Sequence, residues 1–100
     1  PALLGGDIIL SLARPIVLVN DAEVSLTKKE FDILHYLIHN RGCFLSTAQL
    51  LKEVWGDEYS ENGHNILWQV IKRIRHKLSE VSPDKKYIVV ERDVGYKFIE

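Results

Sequence analysis

Between Ile66 and Leu78 the chain reads ILWQVIKRIRHKL, and no other segment restricts the fold as tightly. Four cations, Lys72, Arg73, Arg75 and Lys77, fall within six residues, with no acid in the stretch. Apolar Leu67, Ile71, Ile74 and Leu78 recur at helical spacing. At 100° per residue they share an arc of about 60°. Asn65, Gln69, Lys72, Arg73 and His76 then lie on the far side, with Trp68 at the flank. Such a helix buries one face in a core and offers cations and amides on the other. That chemistry suits the DNA major groove, where Arg and Lys pair with phosphate and guanine and Asn and Gln pair with adenine. A run of charge can also be no more than a solvated helix face, so the neighbouring elements decide.

The elements around it come in a telling order. Residues 7–26 read as strands: Ile8–Leu10 with Leu12, then Ile16–Val19, a turn at Asn20-Asp21, and alternating Ala22–Leu26 with Val24 and Leu26 on one side. Thr27-Lys28-Lys29-Glu30 is a capping box that opens a helix with apolar Phe31, Leu34, Leu37 and Ile38, closing at Asn40-Arg41-Gly42. Ser46-Thr47-Ala48-Gln49 is a second capping box. It opens a shorter helix with Leu50, Leu51, Val54 and Trp55 that ends at Gly56. A polar loop, residues 56–63, precedes the basic helix, expected from about Asn65 to Ser79 and broken by Ser82-Pro83-Asp84. Tyr87–Glu91 and Tyr96–Ile99 read as a terminal hairpin joined through Arg92-Asp93-Val94-Gly95. Two helices before a basic third follow the logic of a helix-turn-helix, and a hairpin after it is placed as a wing. The expected fold is α+β: a small N-terminal antiparallel sheet, a three-helix bundle and a C-terminal β-hairpin wing.

Composition sets limits. One hundred residues make one domain. We place a linker remnant at residues 1–6, since the chain opens PALLGG and holds no Met, and the domain at 7–100. No apolar run is long enough to cross a membrane. The single Cys43 excludes an internal disulfide, suits a reducing cytoplasm, and is expected to be a small buried residue. Net charge is −1, but it is segregated. Residues 1–61 carry 5 Lys/Arg and 9 Asp/Glu, net −4, whereas residues 62–100 carry 8 and 5, net +3. An acidic body weakens nonspecific DNA binding, which is mostly phosphate electrostatics.

Other constellations carry little chemistry. His35 and His39 stand four apart, but Tyr36 occupies the place of the Glu a metalloprotease needs, and two ligands do not make a site. No glycine-rich phosphate loop and no nucleophile elbow occur. Asp57, Glu58 and Glu61 read as solvated loop acids. We therefore expect no catalytic residue, no metal and no cofactor. Trp55 is expected in the core. Trp68 either lies flat over the bundle, the arrangement we expect, or shows an apolar edge to a thymine methyl.

With these pieces in place, the chain resembles the OmpR/PhoB family, the winged-helix effector domains of bacterial response regulators. The resemblance rests on Leu26-Thr27-x-x-Glu30-Phe31-x-x-Leu34, Asn40-x-Gly42 with Leu45-Ser46, Leu50-Leu51-x-x-Val54-Trp55-Gly56, Arg73-Ile74-Arg75-x-Lys77-Leu78 and Gly95-Tyr96-Lys97-Phe98. It runs from about residue 15 to the end. It implies a four-stranded N-terminal sheet, a third helix in the major groove and a wing at the backbone or minor groove. By position it implies DNA contacts from Lys72, Arg73, Arg75 and Arg92. To these the helix adds Lys77 as a phosphate partner and Asn65, Gln69 and His76 as base-edge readers. It further implies double-stranded DNA with direct-repeat sites, a homodimer on DNA, RNA polymerase contact through the 56–63 loop, and an upstream regulatory domain.

The sequence also departs from the family pattern. Trp68 stands where an acid is common, Val70 where His is common, and Asn65 where Arg is often found. On the wing, Val90 replaces a Thr, Glu91 an apolar residue and Asp93 the turn glycine. Glu91 and Asp93 put negative charge beside Arg92, which repels phosphate. A second reading therefore stays open: a winged-helix module for protein interaction or regulation that has lost strong DNA binding.

Overall fold

A computed structural model describes residues 2–57 and 61–99. The chain runs β1 (Ala2–Gly5), β2 (Ile8–Ser11), β3 (Ile16–Val19), β4 (Ala22–Ser25), α1 (Lys28–His39), α2 (Thr47–Trp55), α3 (Gly63–Val81), β5 (Ile88–Glu91) and β6 (Gly95–Phe98). The expected α+β winged-helix architecture is present.

The four N-terminal strands form one antiparallel meander, and the last two form a separate hairpin. Alternation sets the sheet's faces. Leu10, Val17 and Val24 are cross-strand partners and are all buried, whereas Leu4 and Ile9 pair on the opposite, exposed side. Between β3 and β4, Asn20 and Asp21 both take positive φ, 50° and 69°, as a tight two-residue hairpin turn requires.

The N-terminus differs from expectation. Residues 2–5, assigned above to a linker, pair with β2 from Ala2↔Ser11 to Gly5↔Ile8. The reason is close packing. A Cβ on Gly5 would meet Ile38 Cγ2 and Phe98 Cε1, each at 3.0 Å. The glycine that reads as linker composition is what lets β1 lie against α1 and β6.

Both capping boxes form. Thr27 Oγ1 accepts from Glu30 N at 3.2 Å and Glu30 Oε1 accepts from Thr27 N at 3.0 Å. Ser46 and Gln49 repeat the exchange at 3.1 and 2.8 Å. Each box satisfies two N–H groups that a helix start would otherwise leave unbonded. The three helices bury Ile33, Leu34, Leu37 and Ile38 from α1, Leu50 and Leu51 from α2, and Leu67, Val70, Ile71, Ile74 and Leu78 from α3. Each such side chain contributes about 1.5–3 kcal/mol by leaving water.

The hairpin is stitched to the bundle through the α1–α2 connection. Leu45 N donates to Tyr96 O at 2.7 Å, Tyr96 N returns a bond to Leu45 O at 2.9 Å, and Gly42 N reaches Phe98 O at 2.9 Å. A Cβ on Gly95 would stand 2.0 Å from Leu45 O, and its φ of +147° is closed to other residues. This contact fixes the angle at which the wing leaves the bundle.

Three side chains sit elsewhere than expected. Cys43 is exposed, because it lies in the turn after α1 (Cys43 N to Asn40 O, 3.1 Å) while Leu45 takes the buried position. Trp55 is only partly buried. It packs on the core's edge beneath Lys29, whose Nζ lies 5.1 Å from the ring centroid. Trp68 is 40% exposed rather than covered. The 56–63 loop is described only in part, as residues 58–60 lie outside the described residues.

Candidate nucleic-acid interface

The geometry of α3 sorts its polar residues into three groups. Asn65, Gln69, Lys72 and His76 are exposed on the side opposite Leu67, Ile71, Ile74 and Leu78. Among the described residues only His76 has an ion-pair partner there, with Nε2 3.9 Å from Glu80 Oε1, and both groups are well solvated. This arc offers two amides, one ammonium and one imidazole.

On one flank, Arg73 and Lys77 turn toward α1. Arg73 Nε donates to Glu30 Oε2 at 3.1 Å, and Lys77 Nζ donates to Glu30 Oε1 at 2.6 Å. Lys77 Nζ also lies 3.3 Å from Ser25 O. Glu30 is 1% exposed, so a charge there costs several kcal/mol unless it is paired. Burial pushes its carboxyl up, but hydrogen bonds from Lys77, the Thr27 N–H and Arg73 overcome this and hold it below its ordinary 4.5. The Arg73 side chain stays 53% exposed, whereas that of Lys77 is 30% exposed.

On the other flank Arg75 turns toward the hairpin. Its Nη2 donates to Ile88 O at 3.0 Å, and its Nε is buried without a hydrogen-bond partner among the described residues. Its charge also reaches Tyr96. Burial pushes the Tyr96 hydroxyl up from 10.0, and Arg75 offsets only part of that rise. Arg75 thus binds α3 to β5.

Between α3 and the wing lies an open cleft of about 760 Å³, with Thr47 of α2, His64, Asn65 and Trp68 of α3, and Arg92 and Tyr96 of the hairpin on its walls. Exposed Val90 and Val94 give the wing side an apolar surface. Arg92 stands at the hairpin tip between Glu91 and Asp93, all three exposed, with Asp93 at φ +65°.

The structure therefore separates the eight residues singled out from sequence. Asn65, Gln69, Lys72 and His76 share one open face with Arg73 at its border. Arg75 and Lys77 hold intramolecular partners, and Arg92 stands apart on the wing. His64, Thr47 and Glu30 were not singled out. His64 enters because α3 starts at Gly63 rather than near Asn65, and Asn62, a residue type favoured at helix starts, carries that signal. Glu30 is legible as an acid at the centre of the buried arc of α1, within about 60° of Ile33, Leu34 and Leu37. His35 and His39 stack at 6.3 Å on α1, and among the described residues no group of three potential metal ligands occurs. No helix among the described residues is long and apolar enough to cross a membrane.

Comparison with known proteins bears on the same segment. Residues 21–98 match the profile described as "Transcriptional regulatory protein, C terminal". The chain is 38% identical to the regulatory protein VanR of Enterococcus faecium over 79 residues, covering 79% of this chain and 34% of VanR. It is 36% identical to the sensory transduction protein RegX3 of Mycolicibacterium smegmatis over 92 residues, covering 92% of this chain and 40% of RegX3. It thus spans little more than a third of the length of these relatives. The DNA-binding domain of CpxR from E. coli superposes with a TM-score of 0.83 at 25% identity, covering 100% of this chain and 97% of that one. The Thermotoga maritima regulator DrrB, an OmpR/PhoB homologue, gives 0.81 at 30% identity, covering 99% and 44%.

Proposed function

The chain belongs to the OmpR/PhoB-type family of C-terminal DNA-binding effector domains of transcriptional regulators, and from that membership we propose that it reads double-stranded DNA through the outward arc of α3. The observation that carries the reading is the open face of α3, where Asn65, Gln69, Lys72 and His76 point away from the core with the half-exposed Arg73 beside them. In the major groove Asn65 and Gln69 match adenine edges, and Arg73 matches guanine O6 and N7. Lys72 meets phosphate, and His76 meets a base edge. Arg75 and Lys77 serve mainly to hold α3 in place. Arg92 reaches the backbone or minor groove from a wing whose own acids oppose phosphate.

Family membership favours this over the interaction-module reading. Direct-repeat sites and a homodimer on DNA fit the family, as do an upstream regulatory domain and RNA polymerase contact near residues 56–63. The reading calls for no metal, cofactor or catalytic group.

The test is binding of the chain to a random-sequence duplex pool by anisotropy across a salt series, followed by sequencing of the retained duplexes. We expect salt-sensitive binding that enriches a repeated half-site. With about two phosphate contacts, from Lys72 and Arg92, log affinity should fall against log salt with a slope of about −2. Absence of binding to tandem sites at high protein concentration and low salt would overturn the reading.

A further inference from the structure

Glu30 joins two parts of the molecule with different tasks. It is the third residue of α1, closing the capping box, and also the acceptor for two cations of α3, 43 and 47 residues away. Its two oxygens divide the work. Oε1 accepts from Thr27 N at 3.0 Å and Lys77 Nζ at 2.6 Å, whereas Oε2 accepts from Arg73 Nε at 3.1 Å. We propose that Glu30 is a positioning residue for DNA reading: it aims the Arg73 guanidinium at a base edge and withholds Lys77 from the phosphates. The proposal rests on the DNA reading above and deepens it.

A guanidinium is planar, with its donors in a fixed fork. Pinning Nε therefore orients the whole group. It leaves Nη1 and Nη2, which among the described residues have no protein acceptor, on a half-exposed side chain as the pair that bidentate guanine recognition needs. The anchor is itself immobile, since it is 1% exposed and bonded to the start of α1. A buried carboxylate with its own backbone bond holds an arginine far more firmly than a surface acid does. Lys77 has the opposite fate. Its ammonium is held by Glu30 and Ser25 O and its side chain is only 30% exposed, so its charge adds little to nonspecific attraction. One carboxylate thus sharpens recognition twice, by orienting a specific donor and by muting an unspecific one.

Glu30→Gln isolates this role. Its amide oxygen can still cap α1 and accept from Lys77, since Gln serves in capping boxes as Glu does. The amide nitrogen replaces Oε2 and turns a donor toward the Arg73 N–H. Wild type, Glu30→Gln, Arg73→Ala and the double variant are measured on the selected operator and on random duplex, across salt. We expect Glu30→Gln to lower the operator-to-random affinity ratio about tenfold, one bidentate base contact. We also expect it to raise random-duplex affinity and steepen its salt dependence. In the Arg73→Ala background Glu30→Gln should lower the ratio far less, through Lys77 alone. Arg73→Lys, which keeps the charge and leaves the cap untouched, should lose the ratio to a similar extent. The proposal is overturned if Glu30→Gln or Arg73→Lys keeps the full ratio, or if Glu30→Gln lowers it equally without Arg73. Failure of wild type to prefer any duplex would instead overturn the DNA reading, and the proposal with it.

Discussion

The two elements offered to DNA, α3 and the β5–β6 hairpin, are built on opposite plans. On α3 the outward face is free of acids from Asn65 to His76, and the acid that Arg73 and Lys77 meet, Glu30, is buried beneath them. At the hairpin tip the cation, Arg92, stands in the open between Glu91 and Asp93, while the hairpin's other cation, Lys97, lies over the Phe44 ring. The first plan fixes donors in space before DNA arrives. The second leaves a donor free and surrounds it with charge that repels phosphate. Both are rigidly attached, α3 through its apolar face and the hairpin through Leu45 and Tyr96. The difference therefore lies in charge placement rather than in mobility of the frame. The proposed DNA reading then assigns both affinity and sequence choice to α3 and restraint of indiscriminate binding to the wing.

The harshest way to break the comparison is to detach the wing. Gly95→Ala places a Cβ 2.0 Å from a backbone carbonyl at φ +147° and should destabilise the fold by about 3 kcal/mol. Chemical denaturation measures it, and an unchanged midpoint would mean that the Leu45–Tyr96 seam does not fix the hairpin.

Next in size is Arg73→Ala, which should weaken operator binding by about 2 kcal/mol. Equal loss on operator and random duplex would confine Arg73 to phosphate.

The same residues show what was legible in sequence. The strand alternation, both capping boxes and the apolar spacing of α3 are local patterns, and each appears in the fold where its residues stand. The outward arc of α3 was legible for the same reason, since it is the complement of a periodic apolar stripe. What escaped was long-range. Arg73, Arg75 and Lys77 look alike along the chain, yet contacts with Glu30 and Ile88 give them different roles. Residues 2–5 read as linker because the closeness of Ile38 and Phe98, which makes Gly5 suitable, is a tertiary fact. Cys43 and Trp68 misled through residue type, since both are usually covered and here neither is.

A gentler probe sharpens the α3 side through pH. The Glu30 carboxyl is held below 4.5 in the folded chain, so its contribution to stability is full above 4.5 and disappears as pH falls through the lowered value. Glu30→Gln should therefore melt lower than wild type near neutral pH, by about 1 kcal/mol of stability, with the gap closing in acid. Thermal melts from pH 7 to pH 2 measure this, and a gap independent of pH would show that the carboxylate's charge is not what stabilises the seam.

The smallest effect belongs to the wing. Asp93→Asn keeps a residue type that tolerates φ +65° and removes one charge beside Arg92. It should tighten binding to operator and random duplex alike, by about 0.5 kcal/mol, and steepen the salt slope. Anisotropy titrations test this, and unchanged binding would place the wing tip away from the DNA.

Most direct of all is a methylation-interference footprint on the selected operator. Dimethyl sulfate modifies guanine N7 in the major groove and adenine N3 in the minor groove, so one experiment reports both elements. The account predicts interference at guanine N7 within one major-groove segment per half-site, lost in Arg73→Ala, and none of comparable strength at adenine N3. Strong adenine N3 interference with silent guanines would assign the reading to the wing and contradict it.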